Sequence, residues 1–163
     1  MALAGALFGA LLLASSANAE GELAVVAHAE WQDLKAISLP VLRQLYLGRR
    51  TRISGRRTLC LDLPSGSRPR GGFARAVLGL TPRALDRYWL RQALSGGPPP
   101  PRELGTSAEL LTRVARSPGT LGYVPWEDVS AGAPPGVRIV AIEVDGRAIR
   151  PGERGYPIVM SPR

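Results

Sequence analysis

The sequence holds one cysteine, one histidine and one lysine in 163 residues, and each scarcity removes a class of chemistry. With Cys60 alone there is no intramolecular disulfide, so packing has to hold the fold. Cys60 lies inside the apolar run Leu59-Cys60-Leu61 with no histidine near it in sequence, the setting of a buried, inert thiol. One cysteine and one histidine cannot build a zinc cluster, and no carboxylate cluster stands in their place. A Ser-His-Asp set cannot be assembled around the solitary His28, and no paired carboxylates stand at useful spacing. The chain therefore reads as a non-enzyme that needs no cofactor and no metal.

Lysine is as scarce: of the 21 basic residues all but Lys35 are arginine, and the formal net charge is +8. Arginine alongside much Ala, Gly and Pro is what a GC-rich coding sequence produces, so the charge alone does not argue for nucleic acid, which we do not expect as a partner. A basic patch does raise the local concentration of any anion. Long apolar runs are missing too, with one exception. Ala2 to Ala14 carries no charged side chain and is followed by Ala17-Asn18-Ala19, an A-x-A pattern suited to signal peptidase. Residues 1–19 are thus expected to be a signal peptide cleaved after Ala19, and 20–163 one exported domain, periplasmic or secreted, with no membrane span after cleavage. An uncleaved anchor is the alternative, because a basic n-region is lacking, although the segment is short for a bilayer.

What is present alternates between two periods. Leu23 to Ala27 reads as a strand buried on both faces, as in a parallel sheet, and His28 stands at its C-terminal end, where it either lines a site or simply ends the strand. Ser38 and Pro40 open a helix with Leu42, Leu45 and Tyr46 on one face, and Gly48 closes it. The stretch Arg49 to Arg57 is a basic loop around Ser54-Gly55. It either funnels an anion, binds a membrane surface or stays solvated. Thr58 to Leu63 is the next strand. Thr81-Pro82 starts a helix bearing Leu85, Tyr88, Trp89 and Gln92, a face that reads as core, and Pro98 to Pro101 is a stiff connector. Thr106 and Glu109 have capping-box spacing before Leu110, Leu111 and Val114. Leu121 to Val124 is a strand whose interior Gly122 implies the close approach of another backbone or a ligand. Val137 to Val144, a turn at Asp145-Gly146 and an extended Tyr156 to Met160 complete the chain. Strands alternating with helices predict a three-layer α/β domain with a parallel or mixed sheet flanked by helices.

Between the strand ending at Leu63 and the helical pattern from Phe73 to Leu80 lies Ser65-Gly66-Ser67-Arg68. Unpaired N–H groups in a helix's first turn, with the helix dipole, attract an anion, and two hydroxyls and an arginine add to that attraction. The same residues also suit an ordinary N-cap in a βα connection. Gly71 and Gly72 each cost about 1 kcal/mol inside a helix, so either the first turn is loose or something approaches its backbone closely.

Several of these pieces, in this order, resemble the phosphate-binding protein family of ABC importers. They are Leu42 to Arg50 (LRQLYLGRR), Ser65 to Arg68 with Phe73 and Val77-Leu78-Gly79, Tyr88-Trp89, Pro118 to Val124 (PGTLGYV), and Gly146 with Gly155-Tyr156-Pro157-Ile158. The resemblance covers nearly the whole of 20–163. Ile53 departs from it, standing where many relatives place tryptophan. It implies one lobe of the type II periplasmic binding protein fold, with Ser65, Gly66 and Ser67 donating to an oxyanion, phosphate first, and Arg68 as the charged partner. Full-length members carry a further N-terminal part with a second phosphate-contacting loop and an acidic residue that recognises the ligand's proton. This sequence goes almost directly to the strand at Leu23, which implies an open half-site and weak binding. An ABC permease or another envelope protein is the partner that the resemblance implies. The alternative is an interaction module of the cell envelope derived from a binding-protein lobe.

Overall fold

Leu23–His28 (β1) is buried along its whole length, and the sheet is built outward from it. The computed structural model describes residues 21–160; the expected signal segment lies outside them. Thr120–Pro125 (β7) and Val137–Val144 (β8) flank β1, and both run antiparallel to it: Val25 pairs with Tyr123 on one side and Val140 on the other. The run is therefore buried because β1 lies mid-sheet between two helical layers, not because its neighbours are parallel. Ala36–Ser38 (β2) adds parallel to β8, while Arg147–Ile149 (β9) returns antiparallel to β8. On the far side, Leu59–Asp62 (β5) is parallel to β7 and to the two-residue Arg102–Glu103 (β6). The sheet is mixed, in the order β2-β8-β1-β7-β5-β6.

Helices cover both faces. Leu39–Tyr46 (α1) follows Ser38 at its N-cap and turns Leu42, Leu45 and Tyr46 inward. Arg68–Phe73 (α2) runs directly into a π-helical turn, Ala74–Leu78, that ends at left-handed Gly79. Phe73 stacks on Tyr123 of β7, ring centroids 3.9 Å apart, with the Tyr46 ring 4.6 Å from Phe73. Pro82–Leu94 (α3), N-capped by Thr81, packs against the π turn and buries Leu85 and Trp89. The opposite face belongs to Ser107–Arg116 (α4). Its Thr106 Oγ1 accepts from Glu109 N at 3.1 Å, and Glu109 Oε2 accepts from Gly105 N at 2.9 Å. Successive strand residues point to opposite faces, so Gly122 faces α4 while Tyr123 faces α2. A Cβ on Gly122 would lie 2.6 Å from Leu110 Cδ2. What comes close to this glycine is a leucine side chain of α4, not the backbone or ligand expected from the sequence.

The basic loop is a hairpin of Arg52–Ile53 (β3) and Arg56–Arg57 (β4). Ser54 and Gly55 both take positive φ (47° and 76°), the geometry of a two-residue turn that follows strand twist. The turn at Asp145-Gly146 repeats it, with φ 49° and 76°.

Candidate functional site

Strand direction decides what surrounds Ser65 to Arg68. β5 runs with β7 and β7 against β1, so the C-terminal end of β5 lies beside the N-terminal end of β1. There Met160 N donates to Gly21 O at 2.6 Å, and Leu23 N to Ile158 O at 2.9 Å. Arg68 Nη2 is 3.8 Å from the point a Gly21 Cβ would occupy. His28 stands at the opposite end of β1, with Nδ1 accepting from Glu30 N at 3.2 Å, and belongs to a local turn away from this place.

The chain leaves β5 through Pro64-Ser65-Gly66-Ser67, a turn closed by Ser67 N donating to Pro64 O at 3.0 Å. Gly66 holds φ at 82°, which a type II turn demands of its third residue. Ser67 then caps α2: its Oγ accepts from Arg70 N at 3.3 Å, and its carbonyl accepts from Gly71 N at 3.0 Å. Pro69 brings no N–H. Of the three N–H groups expected to form a cradle, that of Ser67 is thus spent inside the turn. Those of Ser65 and Gly66, that of Arg68 and the Ser65 hydroxyl have no hydrogen-bond partner among the described residues, and Ser67 Oγ can still donate. Ser65, Gly66 and Arg68 are exposed. The four residues are among those that line an open groove of about 650 Å³.

Sequence reasoning passed over what lies beneath. Asp62 ends β5 as a carboxylate only 5 % exposed. It accepts from Leu63 N at 2.9 Å and from the Tyr123 hydroxyl, and it meets Arg70 Nε at 3.1 Å. Arg70 Nη1 also reaches Glu103 Oε2 of β6 at 3.1 Å. Burial raises the Asp62 pKa above the carboxylate norm, against the pull of the Tyr123 bond, Arg70 and the Leu63 amide. Arg70 is therefore a strut under the turn, while Arg68 is the arginine open to a ligand. One signal was available: Asp62 is the single charged residue in the apolar run from Leu59 to Leu63. Cys60, one residue earlier on β5, is buried, and burial followed by the Asp62 charge pushes its thiol up to about 12. It stays protonated and inert, as its sequence setting predicts.

Gly71 and Gly72 are also among the residues that line the groove. A Cβ on Gly72 would collide with the Met160 side chain, so the approach its sequence implied is made by the closing segment of the chain. Among the described residues no group of His, Cys, Asp and Glu could hold a metal ion, and no helix is long and apolar enough to cross a membrane.

No protein-family model matches the chain, and neither does any curated protein. Solved structures do. An ABC-type phosphate transport receptor from Vibrio cholerae aligns with a TM-score of 0.59 and 16% identity, over 78% of this chain and 48% of that one. The protein PstS from Borrelia burgdorferi aligns with a TM-score of 0.58 and 12% identity, over 76% of this chain and 47% of its own. The fold matches a single lobe of the periplasmic-binding-protein fold. Identities this low speak for fold, and the chain spans about half the length of the structures it matches. Within that lobe the Ser65–Arg68 turn caps the end of the sheet where both ends of the described chain converge.

Proposed function

We propose that the protein is an exported, non-catalytic solute-binding-like protein that recognises an oxyanion, phosphate first, at Ser65, Gly66, Ser67 and Arg68. One observation carries the reading: a Ser-Gly-Ser turn on this lobe leaves two adjacent N–H groups, two hydroxyls able to donate and an exposed guanidinium around one open mouth. Donors fixed by a turn are already oriented, so little freedom is lost when an anion arrives. The mouth is open to water, which screens every charge–dipole interaction, and Ser67 N is unavailable. Binding is therefore weak, about millimolar, equivalent to about −4 kcal/mol. A periplasmic or secreted location and an ABC permease as recipient of the solute complete the proposal.

Calorimetric titration with inorganic phosphate tests it. The expected outcome is a dissociation constant near one millimolar that Arg68→Ala weakens severalfold. Micromolar affinity would overturn the expectation of weak binding at an open mouth, and silence at saturating phosphate would overturn the oxyanion reading. A second reading, an envelope interaction module, has its own support. Leu90 and Leu94 stand 60% and 80% exposed one helical turn apart on the outer side of α3. Arg68→Ala separates the two, because a docking role for α3 would not feel the loss of that guanidinium.

A further inference from the structure

Charge is divided unevenly along the chain. From Ala36 to Arg102 the sequence carries thirteen arginines and two aspartates, and eleven of its thirteen acidic residues lie outside that stretch. A coding bias toward arginine adds positive charge everywhere; it does not clear one stretch of acid. Of the two aspartates, Asp62 is buried against Arg70. The stretch folds into α1, α2 and α3, the helical layer on the opposite face of the sheet from α4. On α3, Arg83, Arg87, Leu90, Arg91 and Leu94 recur at i, i+4, i+7, i+8 and i+11, which sets them in one stripe along the helix. All five are exposed, while Leu85 and Trp89 hold the other side of α3 in the core. Leu90 and Leu94 are the two most exposed large apolar side chains among the described residues, and none of the three arginines is in an ion pair there. Arg49 joins them. Its Cζ lies 5.8 Å from the Tyr88 ring centroid, and Tyr88 Oη donates to Leu47 O at 2.7 Å, which ties the loop after α1 to the flank of α3.

Leucines that no core covers, set among unpaired arginines, match a surface that is negative outside and apolar just beneath. We propose that the outer face of α3, with Arg49, docks on an anionic phospholipid membrane surface, Leu90 and Leu94 entering between the headgroups. The long arginine stems let the guanidinium groups stay at phosphate level while the leucines go deeper. A second copy of the chain is a poor occupant of this face, because an isologous contact would set arginine against arginine. A nucleic acid would satisfy the guanidinium groups but leave both leucines on a charged backbone, with no exposed ring for a base to stack on: Tyr88 is half-buried and Trp89 is buried. The inference uses none of Ser65 to Arg68, so it is independent of the oxyanion reading, and it differs in kind from a protein partner for α3.

A polarity-sensitive fluorophore on the full chain tests the docking. Cys60 is buried with its thiol protonated, so a single added cysteine takes the label. Ala93→Cys places it on α3, three residues from Leu90, and Ala108→Cys places it on α4 at the opposite face; both positions are exposed. With vesicles of phosphatidylcholine and phosphatidylglycerol in equal parts, emission from position 93 should shift to the blue and that from position 108 should not. With pure phosphatidylcholine neither should shift. The response at 93 should vanish at about 1 M salt, where the screening length falls to about 3 Å. Arg87→Gln with Arg91→Gln should weaken it about twentyfold. Leu90→Ala with Leu94→Ala should weaken it severalfold. Neither pair should move the urea midpoint, since all four side chains are exposed. Equal shifts on neutral and anionic vesicles, a shift at 108 as large as at 93, or a response indifferent to the loss of Arg87 and Arg91 overturns the inference. So does a silent label at 93, which leaves a protein partner for α3 and the oxyanion reading standing. A label at 93 that answers to a DNA duplex and not to vesicles overturns it in favour of nucleic acid.

Discussion

Gly66 is the residue on which the geometry of the turn depends. Its φ of 82° is open to glycine without cost, and nothing lies within 4 Å of where its Cβ would be. Gly66→Ala therefore separates backbone strain from steric collision. It should cost about 1–2 kcal/mol through the left-handed conformation alone. Urea unfolding should show this as a lower midpoint with an unchanged slope, since no buried surface is altered. A variant as stable as the parent would mean that the turn does not hold this conformation in solution. Ser67, its neighbour, offers one donor fewer than its place in the sequence suggests. The hydroxyl remains available to donate, but the N–H belongs to the turn. Only the turn type reveals this, and the turn type follows from Gly66 occupying the third position.

At the level of elements, the position of α4 is set by the absence of a side chain in β7. Leu110 fills the space that Gly122 vacates, and both are fully enclosed. Gly122→Ala should overpack the interface and cost about 1–3 kcal/mol. Leu110→Ala should cost about 2–5 kcal/mol on its own by leaving a cavity. The double variant should be more stable than the sum of the two predicts, because each change removes the fault of the other. Strict additivity in thermal or urea unfolding would show that helix and strand are not in contact here. The helices themselves are well signalled by their starts: Ser38, Thr81 and Thr106 all occupy the N-cap positions that their spacing implies. β6 carried no such signal. Two exposed charged residues after a proline run have neither an apolar period nor a turn, and Arg102–Glu103 becomes a strand only because β5 lies alongside it.

On the scale of the whole molecule, local pattern revealed the α/β class and long-range pairing decided everything else. The apolar runs at Leu23, Leu59, Leu121 and Val137 are strands as expected, yet nothing in them states that β1 meets both neighbours antiparallel. The same gap concealed the Asp62–Arg70–Glu103 cluster, whose members are 33 positions apart in sequence at their widest bond. That cluster has a consequence for the pH dependence of folding. Burial raises the pKa of Asp62 above its usual 3.8, and burial does the same for Glu22 from 4.5. Both bind a proton more tightly folded than unfolded. Their contribution to stability is complete below about pH 4 and is lost as pH rises through their elevated folded values. Self-repulsion of a chain with net charge +8 acts in the other direction on acidification, so the informative quantity is a difference. The urea midpoint of the parent, less that of Asp62→Asn, should fall as pH climbs from about 4 toward neutrality. A difference that is flat or rising would show Asp62 to be ionised throughout.

The pairing of Gly21 to Leu23 with Ile158 to Met160 also gives the molecule a mechanical character. The two segments run antiparallel and are joined by the isolated pair Glu22 and Val159, so tension applied at Gly21 and Met160 loads their bonds one after another. A zipper of that kind yields at low force, long before β1 can be sheared from β7 and β8 along its length. Met160 would be the first residue drawn away, and the contact it makes over Gly72 would go with it. A pull on the chain would thus dismantle the groove while leaving the sheet intact.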